Sequence, residues 1–255
     1  MQKSNFNILV EKLMKKKWKL LSLSDIESMM SHSNAQSITR AQIYKLVHAA
    51  KNKWALVWLK KDVYIAADEN TDIDATVQLF YWKMLYDHIK TYLGGHGLIT
   101  WVNALNLMMQ NYGIPDAVSI ISRDKQCTET IVRDKKALIK KMSSWTAPLY
   151  SLLRKTAQKI TVQNTQFYCT SLTVSLLEAL YGTSSHDLLT VELCKKVLKK
   201  YWKNIDRQEI TMLLVKGKYH TSINEMYYIA RGIDDAYAQH ILAIIKKHSY
   251  RLTKK

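Results

Sequence analysis

Between Leu20 and Ala67 the chain writes a helix-start signature twice, inside a frame of β-prone runs. Ser24-Asp25-Ile26-Glu27 and Thr39-Arg40-Ala41-Gln42 each set a hydroxyl three residues ahead of a Glu or Gln. In such a capping box the hydroxyl accepts an otherwise orphaned backbone N–H, and the longer side chain reaches back to the cap's own N–H. After the second signature, Ile43, Leu46, Val47 and Ala50 recur at i, i+3, i+4 and i+7, one buried stripe of a helix. The opposite face carries Arg40, Gln42, Tyr44, Lys45, His48 and Lys51. Two aromatic and branched runs follow, Trp54 to Leu59 and Val63 to Ala66, joined by Lys60-Lys61-Asp62. A short apolar strand at Leu20 precedes the first helix. Strand, capped helix, turn, capped helix and basic hairpin together predict a winged helix-turn-helix, whose second helix is suited to a DNA major groove.

Charge supports an anionic partner. The chain has 255 residues and a formal net charge of +17, with 38 Lys and Arg against 21 Asp and Glu. Up to Ala67 there are 12 basic and 4 acidic residues, so the surplus is concentrated where the paired helices are predicted. The 47% hydrophobic content is enough for a substantial core. Three scattered cysteines, Cys127, Cys169 and Cys194, provide neither a disulfide framework nor a metal box, which points to a reducing compartment. A polar N-terminus without an apolar leader and the lack of a membrane-length run predict a cytoplasmic protein with no membrane partner.

Further along, Phe6 to Met14 predicts a helix packed behind the helix-turn-helix. Asp68 to Asp74 holds four acids in seven residues and predicts a linker over 68–76, between a DNA-binding domain at 1–67 and a second domain at 77–255. In that second domain an aromatic-rich helix over Val77–Leu93 ends at Gly94-Gly95-His96-Gly97. The glycine cluster follows a helix rather than a strand, so it predicts a helix terminus and not a phosphate cradle. Thr100 is expected to cap the next helix. Ala117–Ile121 predicts a strand paired with Ala137–Ile139, and Lys159–Val162 with Phe167–Cys169 predicts a hairpin. Ser171 is expected to cap an apolar helix to Leu180, and helices continue from Leu188 to His248. The fold class expected is α+β: a winged helix-turn-helix, then a mixed domain with a small β-sheet and a helical C-terminal tail.

No Ser/His/Asp elbow, nucleotidyltransferase-type paired acids or two-metal carboxylate cluster is written in the chain. His186-Asp187 and Asp234-Asp235 come nearest, and both read as helix starts, where Asp favours the macrodipole. His96 and His220 fall in predicted loops. No enzyme, cofactor or metal is expected.

Several segments resemble a known family. The hairpin ending Lys60-Lys61-Asp62-Val63-Tyr64-Ile65 is similar to the wing of AbiEi-type antitoxins of type IV toxin–antitoxin systems, with Asp62 where glycine is usual. Gly97 to Leu105, Ile114 to Ile121 and Ser171 to Leu180 resemble that family's later segments, with Thr173-Val174 where it tends to have Glu-Arg. The resemblance implies an autoregulator that binds repeats in its own operator, with cooperative self-association on double-stranded DNA. It also implies a C-terminal domain that opposes a nucleotidyltransferase-like toxin. Arg40, Gln42, Tyr44 and Lys45 are the expected contacts to base edges or adjacent phosphates, while His48, Lys51, Lys53, Lys60 and Lys61 would position the phosphate backbone. The alternative is a basic adaptor that binds an acidic protein without reading DNA sequence.

Overall fold

The computed structural model describes residues 4–31, 38–53, 55–68, 70–142, 147–182, 188–217 and 219–252. Trp54, the turn at 32–37 between the paired helices and the His186-Asp187 pair lie outside them. The fold is α+β. Two compact units divide the chain, one of residues 1–84 with 130–135, the other of 85–129 with 136–255.

The first unit begins with α1 (Asn5–Met14), whose Asn7 N–H donates to the Ser4 hydroxyl. Then come β1 (Leu20–Ser22), α2 (Leu23–Ser31), α3 (Arg40–Asn52), β2 (Leu56–Lys60) and β3 (Val63–Ala66). The strands form an antiparallel sheet in the order β1-β3-β2. Leu9 and Leu13 of α1, Ile26 and Met30 of α2, and Ile43, Val47 and Ala50 of α3 share one core with Leu21, Leu56 and Tyr64. The first helix therefore packs where its apolar stripe predicts.

Helix α2 departs from the expected start. It opens at Leu23, and the reciprocal cap is built on Ser22 and Asp25 instead of Ser24 and Glu27. Asp25 Oδ2 accepts from the Ser22 N–H and hydroxyl, both at 2.7 Å, while the Asp25 N–H donates to Ser22 Oγ at 3.1 Å. Ser22 ends β1 in extended backbone, the conformation a cap requires, so the sheet fixes the frame of the helix. Hydrogen bonds from Ser22 hold the Asp25 carboxyl below the usual carboxylate range, against an opposing effect of burial and with a lesser pull from Lys16. A carboxyl depressed in the folded state stabilises above its unfolded value of about 3.9, and loses that contribution as pH falls through the folded one. Asp25→Ala is expected to cost about 1 kcal/mol at pH 7. Thermal unfolding at pH 7 and in strong acid checks this, since the two proteins should converge at the lower pH.

The segment 68–76 is hydrogen-bonded turn and helix start among its described residues. Asp68 pairs with Lys17, and Asp72 Oδ1 accepts from the Asp74 and Ala75 N–H groups at the start of α4 (Ile73–Tyr92). The boundary between the units falls within α4, after Met84.

A six-stranded sheet follows. Its strands are β4 (Leu98–Ile99), β5 (Ala117–Ser122), β6 (Cys127–Val132), β7 (Lys135–Lys141), β8 (Gln158–Val162) and β9 (Thr165–Cys169), in the order β6-β7-β5-β4-β9-β8. The expected pairing of Ala117–Ile121 with Ala137–Ile139 is present and parallel, Ile120 opposite Ile139, and the β8–β9 hairpin is antiparallel. Helices α5 (Trp101–Met108), α6 (Ala147–Lys155), α7 (Leu172–Gly182), α8 (Leu188–Tyr201), α9 (Arg207–Gly217), α10 (His220–Arg231) and α11 (Asp235–Lys247) complete the second unit. Leu105, Leu176, Leu177, Val197, Met226 and Ile241 lie in their common core.

Caps in this unit follow the sequence with one exception. Ser171 Oγ accepts from the Val174 N–H and donates to the buried Glu209, which also accepts from Thr156 Oγ1. Asp234 accepts from the Tyr237 N–H, as a cap rather than a catalyst. Thr100 precedes α5 but makes no side-chain cap, because its hydroxyl accepts from Thr170 Oγ1, which also bonds Ser175 in a buried hydroxyl cluster. Gly94 and Gly95, at φ +58° and +74°, end α4 through a bond from the Gly95 N–H to the Ile89 carbonyl. That is the helix terminus expected of them. Among the described residues no helix is long and apolar enough to cross a membrane.

Candidate nucleic-acid interface

Helix α3 starts from a complete capping box. The Gln42 N–H donates to Thr39 Oγ1, and Gln42 Oε1 accepts from the Thr39 N–H at 2.8 Å. With Ile43, Val47 and Ala50 fixed in the core, geometry turns Arg40, Gln42, Tyr44, Lys45, His48 and Lys51 outward, and all six are exposed. Lys53 is exposed at the helix end, its ammonium 5.3 Å from the Phe6 ring centroid.

These side chains are not equally placed for a ligand. Arg40 Nε lies 3.3 Å from Glu27 Oε1 across the helix pair, and its guanidinium is 6.0 Å from the centre of the Tyr44 ring. Glu27, displaced from its expected capping role, thus meets the first residue of α3. The oxygen of Gln42 is engaged by the cap, which leaves its amide nitrogen as the atom suited to a base edge. His48 Nδ1 lies 3.4 Å from Asn52 Nδ2, consistent with a local positioning role.

The wing tip is a tight turn. Asp62 adopts φ +57°, a left-handed conformation that Asp tolerates better than most side chains, which accounts for Asp where glycine would serve. The Asp62 carbonyl accepts from the Leu23 N–H at 2.9 Å, tying the tip to the start of α2. Lys61 is exposed and Lys60 half-buried. From the turn between β6 and β7 the Arg133 N–H donates to the Leu59 carbonyl of this hairpin, so the tip 130–135 covers part of the outer edge of β2 within this unit.

Three features escaped the reading of the sequence. Trp58 is 38% exposed on β2, opposite Tyr64 of β3, and presents an aromatic face on the wing. The sequence carries no clean signal for it, because Leu56 and Val57 are both buried and a bulge between Trp58 and Lys60 breaks the period of two. Tyr64 is only 6% exposed and shares one core with Ile43 and Val47 of α3; burial raises its phenol above the ordinary range, with Asp62 and Tyr44 adding to the rise. Lys15, Lys16 and Lys19 are exposed just before β1, and Lys16 is close enough to Asp25 to act on its carboxyl.

The remaining candidates for chemistry do not assemble. Among the described residues no three His, Cys, Asp or Glu side chains come together as a metal site. His220 opens α10 instead of lying in a loop, with its ring 3.9 Å from that of Tyr250. Cys169 and Cys194 are buried, and burial pushes the Cys169 thiol up to about 12; Cys127 is half-buried beside the Tyr92 hydroxyl.

No family model matches the chain, and no curated protein does. A solved structure, that of the RV2827C protein from Mycobacterium tuberculosis, is similar over 100% of this chain and 84% of its own, with 11% identity and a TM-score of 0.60. At that identity the likeness concerns the fold.

Proposed function

We propose that the chain is a sequence-reading DNA-binding regulator that acts on its own operator and serves as the antitoxin of a type IV-like toxin–antitoxin pair. One observation carries the DNA-binding part. A helix whose inner stripe is locked in a core turns Arg40, Tyr44, Lys45, His48 and Lys51 outward, beside a hairpin tipped by Lys60 and Lys61, all in one compact unit. Cationic side chains on a helix and a wing supply phosphate affinity, and the first turn of the helix supplies donors for base edges. The antitoxin role is supported by the resemblance of Gly97–Leu105 and Ser171–Leu180 to that family's segments. These segments correspond to β4 with α5 and to α7, whose buried residues share a core. A cytoplasmic location belongs to the same reading.

The test is titration of the full chain against duplex DNA from its own upstream region and against a scrambled duplex, by fluorescence anisotropy at several salt concentrations. A fragment ending near Asn70 would be a poor substitute, because the first unit continues to Met84 and includes 130–135. Tighter binding to the upstream duplex is expected, with a log–log salt slope of roughly −4 to −5 for about five neutralised phosphates. Equal, weak binding to both duplexes would favour the adaptor reading. Lys60→Ala with Lys61→Ala should make the slope shallower by about 1–2 and weaken both duplexes alike. An unchanged slope would remove the hairpin from the interface.

A further inference from the structure

The second unit contains a partly enclosed cavity of about 410 Å³ that the DNA-binding reading does not use. Its charge comes from two separate stretches of chain: Arg123 and Lys125 from the turn after β5, and Arg154 from α6. Tyr150 and Ser151 of α6 add hydroxyls, and His96 adds a ring from the glycine loop. Asp124 is the one carboxylate in the lining, 3.8 Å from Arg123, and both of those side chains are largely exposed, so three cations face a single acid.

The walls are held in place. The Arg154 guanidinium lies 4.1 Å from the centre of the Tyr168 ring, and its Nη1 is shielded from solvent without a hydrogen-bond partner among the described residues. Leaving a guanidinium N–H desolvated and unpaired is costly, and an anionic oxygen would relieve that cost after a small shift of the fork. Lys125 donates to the Tyr92 carbonyl, and its ammonium sits 3.8 Å from the Tyr92 ring centroid. Tyr150 donates its hydroxyl to the His96 carbonyl, which fixes both residues. Burial raises the Tyr150 phenol; Arg154 and Arg123 pull it back down, and Asp124 raises it.

A fork-shaped cation fixed on an aromatic face, a second cation and several hydroxyls suit a phosphate monoester. The volume falls within the range of about 300–1,000 Å³ usual for small-molecule sites and exceeds what a bare phosphate fills. We infer that this cavity binds a phosphate monoester borne on a nucleoside, with Arg154 and Lys125 on the phosphate, Ser151 adding a hydrogen bond and Tyr150 holding the His96 loop in place as part of the wall. Such a monoester exists on a free mononucleotide and on the 5′ end of an oligonucleotide.

Calorimetric titration of the full chain at fixed ionic strength tests this with adenosine 5′-monophosphate, adenosine and an eight-nucleotide single strand with or without a 5′-phosphate. The expected result is saturable binding of the monophosphate or of the 5′-phosphorylated strand, at least tenfold tighter than the counterpart lacking the phosphate. Preference for the mononucleotide identifies the free ligand as the source, and preference for the strand identifies the nucleic-acid end. Arg154→Gln should weaken binding at least tenfold. Ser151→Asp, at an exposed position where the melting temperature should be preserved, should do the same by adding a repelling charge. Equal affinity with and without the phosphate, or an unchanged Kd in Ser151→Asp, would overturn the assignment. Neither variant alters the winged unit, so failure here leaves the operator titration unaffected.

Discussion

Arg40→Ala combined with Lys45→Ala is expected to lower affinity for the upstream duplex by about 100-fold, close to 2.7 kcal/mol, while affinity for a scrambled duplex falls less than about tenfold. Arg40 is the first residue of α3, where the helix-turn-helix geometry brings side chains nearest to base edges, and Lys45 lies on the same exposed face. A good bidentate contact to a base contributes about 1–3 kcal/mol of discrimination, whereas a phosphate contact weakens every sequence alike when lost. Arg40 also has a competitor, since Glu27 holds its Nε at 3.3 Å. An exposed pair of this kind is worth about 0–1 kcal/mol, so DNA can displace it. Glu27→Gln should therefore act in the opposite direction and tighten binding severalfold. Parallel anisotropy titrations of both variants decide the matter: equal losses on the two duplexes in the double variant would reduce α3 to a phosphate attractor.

Phe167→Ala is expected to remove about 3–5 kcal/mol of unfolding free energy, measured by urea denaturation and read by far-UV circular dichroism. Phe167 is 2% exposed on β9, the strand between β4 and β8, and meets the Tyr86 ring edge-on at 6.2 Å and 87°. Its loss would leave a cavity and remove an aromatic contact worth about 0.5–1.5 kcal/mol beyond its buried area. A change below about 1 kcal/mol would show that the β8–β9 hairpin can collapse onto the gap.

Elements with strong local periodicity were legible in the sequence. The stripe Ile43–Leu46–Val47–Ala50 dictates the buried side of α3, and the helices from Leu188 onward stand close to their apolar runs. Where two signals competed, tertiary context decided. Ser22-Asp25 and Ser24-Glu27 both look like caps, and only the end of β1 selects the first. Strand β4 is two residues long, too short for any alternation to reveal, and β6 reads Cys-Thr-Glu-Thr-Ile-Val, polar enough to pass as loop. Its alternation of half-buried and exposed residues becomes meaningful only beside β7. The outward face of α3 was readable because one helix carries it. The cavity was not, because Arg123, Lys125, Arg154 and His96 lie on segments with no periodic relation to one another.

The hydrogen bond from Arg133 to Leu59 has a consequence for how this chain comes into being. The winged unit is written mostly before residue 85, yet part of its rim is supplied by residues 130–135. A ribosome that has just finished the wing has not delivered everything the wing keeps in the folded protein. The edge of β2 therefore stays uncovered for dozens of further translated codons, a strand margin open to other nascent chains. For the same reason a graft of this module onto another protein should carry the later hairpin with it.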